Sequence, residues 1–209
     1  MGYKVFLTET GDPDLPRLIT HVATTPACTV DETMVKPIHA DLEASALLRA
    51  EHLMDAGFVR SEPLVDSPQQ YGVTLLGPTA RGSSWQAHTP GAFDKSQFQV
   101  DWERQVVTCP MGKESLLWLT DQQGIARQVQ VFFKRDECLA CAARARCTQA
   151  KKGARILSFQ PRLYHEALQD LRQYQQTQAF KARYAARSGV ECIFSQASRR
   201  CDIQQACYR

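Results

Sequence analysis

His52-Leu53-Met54-Asp55-Ala56-Gly57-Phe58 is the stretch that decides the fold class. Leu53-Met54 is a short apolar run and Gly57 stops it. Asp55 therefore projects from the carboxyl end of a strand, the edge at which active sites of α/β proteins collect. An Asp there also serves as a turn residue or helix cap, and taken alone that is the commoner role. Working outward, Val73-Thr74-Leu75-Leu76 is a second apolar run, stopped by Gly77-Pro78, and reads as a buried strand. Between the two, Ser61 to Tyr71 reads as a helix kept short by Pro63 and Pro68. Upstream, residues 4–8 and 18–22 are β-prone runs flanking the turn-rich Gly11-Asp12-Pro13-Asp14, which predicts a hairpin. Thr29 and Glu32 have capping-box spacing ahead of a helix in which Met34, Ile38 and Leu42 recur every four residues, with Pro37 placed to kink it. Hairpin, helix, strand, helix, strand is an α/β order with mixed strand directions.

Beyond Thr79 the texture changes. Gly82-Ser83-Ser84, Thr89-Pro90-Gly91 and Cys109-Pro110-Met111-Gly112 punctuate short β-like pieces such as residues 128–133. The reading is three segments: 1–78, the first part of an α/β core; 79–157, a small β-rich insertion that carries cysteines; and 158–209, a helical return to the core. In that last part Leu163, Ala167, Leu171 and Tyr174 keep helical spacing, Phe180 and Tyr184 resume it, and Ser188-Gly189 is placed to break it. Trp85, Trp102 and Trp118 read as core of the insertion, or as stacking platforms for an exposed base.

Charge is lopsided. Residues 1–126 hold nine Lys/Arg against sixteen Asp/Glu, and residues 127–209 hold sixteen against six. A basic half suits an anionic partner, of which nucleic acid is the commonest, and equally suits a solvated helix face. Lys151, Lys152, Arg155, Arg199 and Arg200 are the candidate phosphate contacts. No apolar run reaches membrane-spanning length, and Met1-Gly2-Tyr3-Lys4-Val5 opens no signal-peptide stretch, so a cytoplasmic protein without membrane partners is expected.

The eight cysteines carry no sign of a secreted disulfide framework. Cys28, Cys192, Cys201 and Cys207 read as small buried hydrophobes. Cys138-x-x-Cys141, with Cys147 after it and the turn at Cys109-Pro110-x-Gly112 before it, offers the four thiolates of a tetrahedral zinc site. Unliganded, reduced thiols fit the same spacing. His88 and His165 read as surface residues rather than ligands.

The other chemistry-bearing group is Tyr184-x-x-Arg187-x-x-x-Glu191, whose spacing places all three residues on one helical face. A surface ion pair accounts for an Arg four residues before a Glu. A carboxylate steadied by a cation and a phenol, beside a metal, accounts for it too.

This spacing resembles the signature around the third catalytic acid of a large group of DDE transposases. That signature continues with a Lys seven residues after the Glu, where Ser198 stands here, followed by Arg199 and Arg200. Gly2-Tyr3-Lys4-Val5, Leu7-Thr8-Glu9-Thr10, Leu18-Ile19-Thr20-His21-Val22, the Asp55 stretch and Ser188-Gly189-Val190-Glu191 are similar to one subgroup of bacterial insertion-sequence transposases. In that subgroup the second catalytic acid lies in the Asp-Ala-Gly-aromatic element, here Asp55. The resemblance implies a ribonuclease H-like core in which Asp55 and Glu191 are catalytic ligands of magnesium or manganese, with Tyr184 and Arg187 in support. It implies double-stranded DNA, the transposon ends, as substrate, phosphodiester cleavage and strand transfer as the reaction, and a homodimer in the intact parent. Two departures stand beside it. The family's first catalytic Asp sits on a central strand that would precede Tyr3, and Asp12, Asp14 and Asp31, in a turn or near a helix start, do not replace it. The sequence also ends at Cys207-Tyr208-Arg209, where relatives continue. The expectation is a truncated reading frame, a transposon remnant or a cropped piece of the parent, which does not cleave DNA by itself. A zinc-stabilised DNA-binding protein without catalysis, or another ribonuclease H-like nuclease, are the competing readings.

Overall fold

The computed structural model describes residues 2–12, 14, 16–80, 82–120 and 128–200, the side chains of 191–194 excepted. The chain divides into two compact units, Met1–Ala80 with Ala167–Arg209, and Arg81–Glu166.

The first unit opens with an antiparallel hairpin, β1 (Tyr3–Glu9) and β2 (Ile19–Pro26), paired from Tyr3↔Pro26 to Thr8↔His21 with a register shift before Glu9. A 3-10 turn, Asp31–Met34, leads into α1 (Val35–Ala44), which buries Val35, Ile38, His39 and Leu42 on one face. The capping box expected from Thr29 and Glu32 does not form. The first turn begins after Val30, without a side-chain cap, and Glu32 instead pairs with Arg60 at 3.0 Å. Pro37 is the third residue of α1, where its missing N–H would have no partner inside the helix, so it costs nothing there.

The Asp55 stretch then builds a parallel pair. β3 (Glu51–Leu53) runs beside β4 (Thr74–Leu76), and the crossover between them is α2 (Ser61–Tyr71). Gly72, at φ 67°, ends α2 in the left-handed conformation that glycine adopts freely. The pairing continues past the strand, since Met54 N–H donates to Leu76 C=O at 2.8 Å. Gly77 sits against that bond. A Cβ there would meet the Met54 carbonyl oxygen at 2.2 Å, so only glycine lets the chains approach this closely.

The second unit holds α3 (Trp85–His88), the hairpin β5 (Gln99–Asp101) and β6 (Val106–Thr108), and an antiparallel sheet of order β7-β8-β9: β7 (Leu117–Thr120), β8 (Val129–Phe132) and β9 (Ile156–Phe159). Between β8 and β9 lie α4 (Arg135–Leu139) and α5 (Arg144–Cys147). Strict alternation sends Val129 and Val131 inward and Gln130 outward, onto a core with Phe93, Phe98, Val107, Phe133, Leu157 and Phe159. Trp102 and Trp118 pack edge to face at 5.3 Å against that core.

The chain returns through α6 (Arg162–Tyr174), α7 (Gln178–Tyr184) and α8 (Ser188–Arg200). Leu171 and Phe180 join Val35, Met54, Val59, Leu75 and Leu76 in the first unit's core, and Tyr174 and Tyr184 cover it. Thr177 caps α7, its hydroxyl accepting from Phe180 N–H at 3.2 Å. The architecture is mixed α/β with small sheets, and no described helix is long and apolar enough to cross a membrane.

Candidate functional site

Asp55 stands where parallel strands end, just past β3, and more than half of its side chain is open to solvent. The turn that follows closes with Phe58 N–H donating to Asp55 C=O at 3.0 Å. Gly57 in this turn lies against Asp31. A Cβ would come within 2.6 Å of Asp31 Oδ2, and Asp31 is itself held by Lys4 Nζ at 2.7 Å.

The C-terminal helices are fastened along β3 by three contacts. Arg183 pairs with Glu51, Tyr184 Oη donates to the Met54 carbonyl at 3.2 Å, and Arg187 Nη2 meets Asp55 Oδ2 at 2.5 Å. The Arg187 side chain is only 16% exposed, so the guanidinium is a fixed cation rather than a roaming surface charge. The helical spacing is carried by three successive helical pieces rather than one. Tyr184 ends α7, Arg187 lies in a 3-10 turn (Ala185–Arg187), and Glu191 falls in the first turn of α8. Ser188 and Gly189 are poor helix formers, and a tighter turn relieves the junction. Gly189 has a second role. Arg17 packs over it so closely that any Cβ would collide with the guanidinium. The Glu191 side chain lies outside the described residues; Val190, the residue before it, lines the cavity described next.

That cavity, about 310 Å³, is bordered by residues 4–9 on one side and 51–55 on the other, with Ala186, Arg187 and Val190 behind. Its lining takes consecutive residues from both strands rather than alternate ones, as strand edges do. Among the described residues β1 pairs only with β2, and β3 only with β4. Four carboxylates border it: Glu9, Asp31, Glu51 and Asp55. Glu9 is 4% exposed, its Oε1 bonded to Arg17 at 2.8 Å and its Oε2 without a partner. Sequence reasoning missed Glu9, and also the pair His39–His52, whose ring nitrogens stand 3.2 Å apart. Burial pushes His39 down to about 4, and burial together with the neighbouring histidines does the same to His52. The one signal for His39 was its place on the apolar face of α1, four residues after Val35.

In the second unit Cys109, Cys138, Cys141 and Cys147 line one small cavity of about 40 Å³. All four are free thiols. Cys147 is pushed up by burial, with Arg155 opposing and the other three thiols adding to the rise. Among the described residues no three His, Cys, Asp or Glu side chains converge closely enough, as they stand, to hold a metal. Cys28 is exposed in the turn after β2, which corrects its reading as buried; Cys201 and Cys207, and the Cys192 side chain, lie outside the described residues. His88 is exposed, whereas the His165 ring packs on Phe159 and Trp102 at 5.4 and 5.5 Å.

Of the candidate phosphate contacts, Lys151 and Lys152 are exposed in the second unit, and Arg199 and Arg200 are exposed in the last turn of α8. Arg155 is half-buried near Cys147 and Asp94, its Nε without a partner. Residues 108–209 match the family model described as a transposase DDE domain. No curated protein and no solved structure matches the chain.

Proposed function

We propose, from the match of residues 108–209 to the transposase DDE domain family, that the chain is the catalytic part of a DNA transposase that cleaves and joins phosphodiester bonds at the ends of its element. The observation that carries this reading is the Arg187–Asp55 contact. It brings together, across most of the sequence, the Asp at the end of a parallel strand and the Arg of the Tyr-x-x-Arg-x-x-x-Glu spacing.

In this reading the first unit is a ribonuclease H-like core, and the groove between β1 and β3 takes the family's first strand with the first acid. Asp55 and Glu191 are the residues that would hold magnesium or manganese. The donor set fits, because hard cations take carboxylate oxygens, Asp55 is open, and Glu9 keeps a buried oxygen free beside the same cavity. When bound, such ions supply an activated water or 3′-hydroxyl and steady the leaving oxygen. The protein's own part is positional. Arg187 fixes the Asp55 carboxylate and lends a cation beside the phosphate path, Tyr184 holds the strand end through the Met54 carbonyl, and Arg183 with Glu51 sets the helices' register on β3. Double-stranded DNA is the substrate, met by the exposed lysines and arginines, and the intact protein works as a homodimer in the cytoplasm.

A second reading, a DNA-binding protein without catalysis, draws on the same contact, since Arg187 already satisfies Asp55. One experiment separates them. The full-length protein is incubated with duplex DNA carrying the element's ends, at several salt concentrations, with magnesium, manganese or neither. Binding that weakens steeply with salt, together with nicking that requires the cation, is expected. Tight binding with intact DNA under every cation condition selects the non-catalytic reading, and no binding at low salt removes both.

A further inference from the structure

We propose that Cys109, Cys138, Cys141 and Cys147 bind one zinc ion as four thiolates, closing the second unit around a structural metal.

Three separate segments bring these residues to one cavity: the turn after β6, the end of α4 with Cys141 just past its C-cap, and the end of α5. The cavity suits a single ion and not an organic ligand of ordinary size. The first segment has the backbone of a ligand turn. Cys109 N–H donates to Lys113 C=O at 2.8 Å, Gly112 N–H donates back to Cys109 C=O at 2.8 Å, and Gly112 takes φ 75°. The fold of this turn aims Lys113 N–H at Cys109 Sγ, 3.4 Å away, a backbone contact that fixes the sulfur's position.

The other two segments are held by their backbone. Arg144 donates to the carbonyls of Cys138 at 3.2 Å and Gly153 at 2.9 Å, and Gln86 Nε2 donates to the Cys147 carbonyl at 3.0 Å. Phe93 N–H donates to Arg146 C=O at 2.7 Å, tying α5 to the core.

Charge points the same way. Four thiolates and one divalent cation leave a site with net negative charge. Lys113, Lys134 and Arg144 line the cavity, and Arg155 lies half-buried beside Cys147 with an unpartnered buried Nε. A buried guanidinium N–H without a partner is costly, and an anionic sulfur centre beside it adds to the compensation that Asp94 already gives. Glu137 also borders the cavity but is engaged by Lys134 at 3.6 Å, so the thiols are the available ligands. Ligation by four thiolates selects zinc over the hard cations, and drawing the sulfurs in to Zn–S distances of about 2.3 Å is the closure that the metal would bring. Binding releases the four thiol protons to solvent and transfers no electrons.

The test is elemental analysis of the full chain purified without chelator, with cobalt(II) substitution as a second readout. About one zinc per chain is expected, and the cobalt form should show thiolate-to-cobalt charge transfer with the intense visible bands of a tetrahedral site. Titration of the wild-type chain with a thiol-reactive mercurial should release the zinc in step with the four thiols, which needs no variant to fold. Cys138→Ser should lose most of the metal, while Cys28→Ser, at an exposed cysteine outside the cavity, should keep it. Zinc well below stoichiometry, a weak octahedral cobalt spectrum, or full zinc retained in Cys138→Ser overturns the site.

Discussion

At the scale of single residues, the first unit is governed by polar groups that have left water. His39 is wholly buried, its ring edge to face with Tyr71 at 5.6 Å and its Nε2 at 3.2 Å from His52. Its Nδ1 has no partner. Such a site tolerates only the neutral ring, so its value falls from the ordinary 6.5 to about 4. Between these two values the unfolded chain binds more protons than the folded one. Stability is therefore complete above about 6.5 and is lost as pH falls towards about 4, by on the order of 3 kcal/mol for His39. Denaturant unfolding at a series of pH values should show this slope, and His39→Gln should remove the His39 share while that of His52 remains. An equally steep slope in the variant would mean that other groups carry the acid sensitivity. None of this is legible in sequence beyond the helical position of His39, because its partner stands on β3, in a different element.

At the scale of elements, local chemistry was readable and long-range fastening was not. The bounds of α2 agree with the reading of Ser61 to Tyr71, with Pro68 standing inside the helix and Gly72, in the left-handed conformation, ending it. The β1–β2 hairpin follows from two β-prone runs and a turn-rich link. The capping box failed because Glu32 had a distant alternative, Arg60, that spacing does not reveal. Between Tyr184 and Glu191 the helix tightens into a 3-10 turn, Ala185–Arg187, ahead of Ser188-Gly189, a change of pitch that spacing alone does not reveal. The candidate site depends on another close approach, at Gly77. Ala there would push a methyl into the Met54 carbonyl and Val59, next to the hydrogen bond that extends β3 to Asp55. Gly77→Ala should cost about 1–3 kcal/mol by overpacking, read as a lower denaturant midpoint. Unchanged stability would show that β3 and β4 do not meet so closely.

At the scale of the whole molecule, sequence order and chemistry separate cleanly. The first unit is built from both ends of the chain and carries Asp55, Arg187 and the carboxylate-lined groove. The second is a β-rich module whose cysteines gather without help from the first. The acidic first part and basic last part of the sequence do not map onto these units, since the first unit draws on both. Charge asymmetry therefore suits an anionic partner or a solvated face alike, and it does not say where either lies. The resemblance to DDE transposases named Asp55 and Arg187 from short motifs far apart, and the fold sets them in contact.

The central claim is that Asp55 and Glu191 do chemistry rather than hold structure. The measurement is cation-dependent cleavage of end-bearing duplex DNA by the full-length protein, compared with Asp55→Asn and Glu191→Gln, alongside DNA affinity for all three. Both substitutions keep shape and remove charge. Cleavage should disappear in each while affinity stays within about threefold, because phosphate contacts by Lys and Arg are untouched. Cleavage at the wild-type rate in either variant would remove that residue from the site and contradict the account.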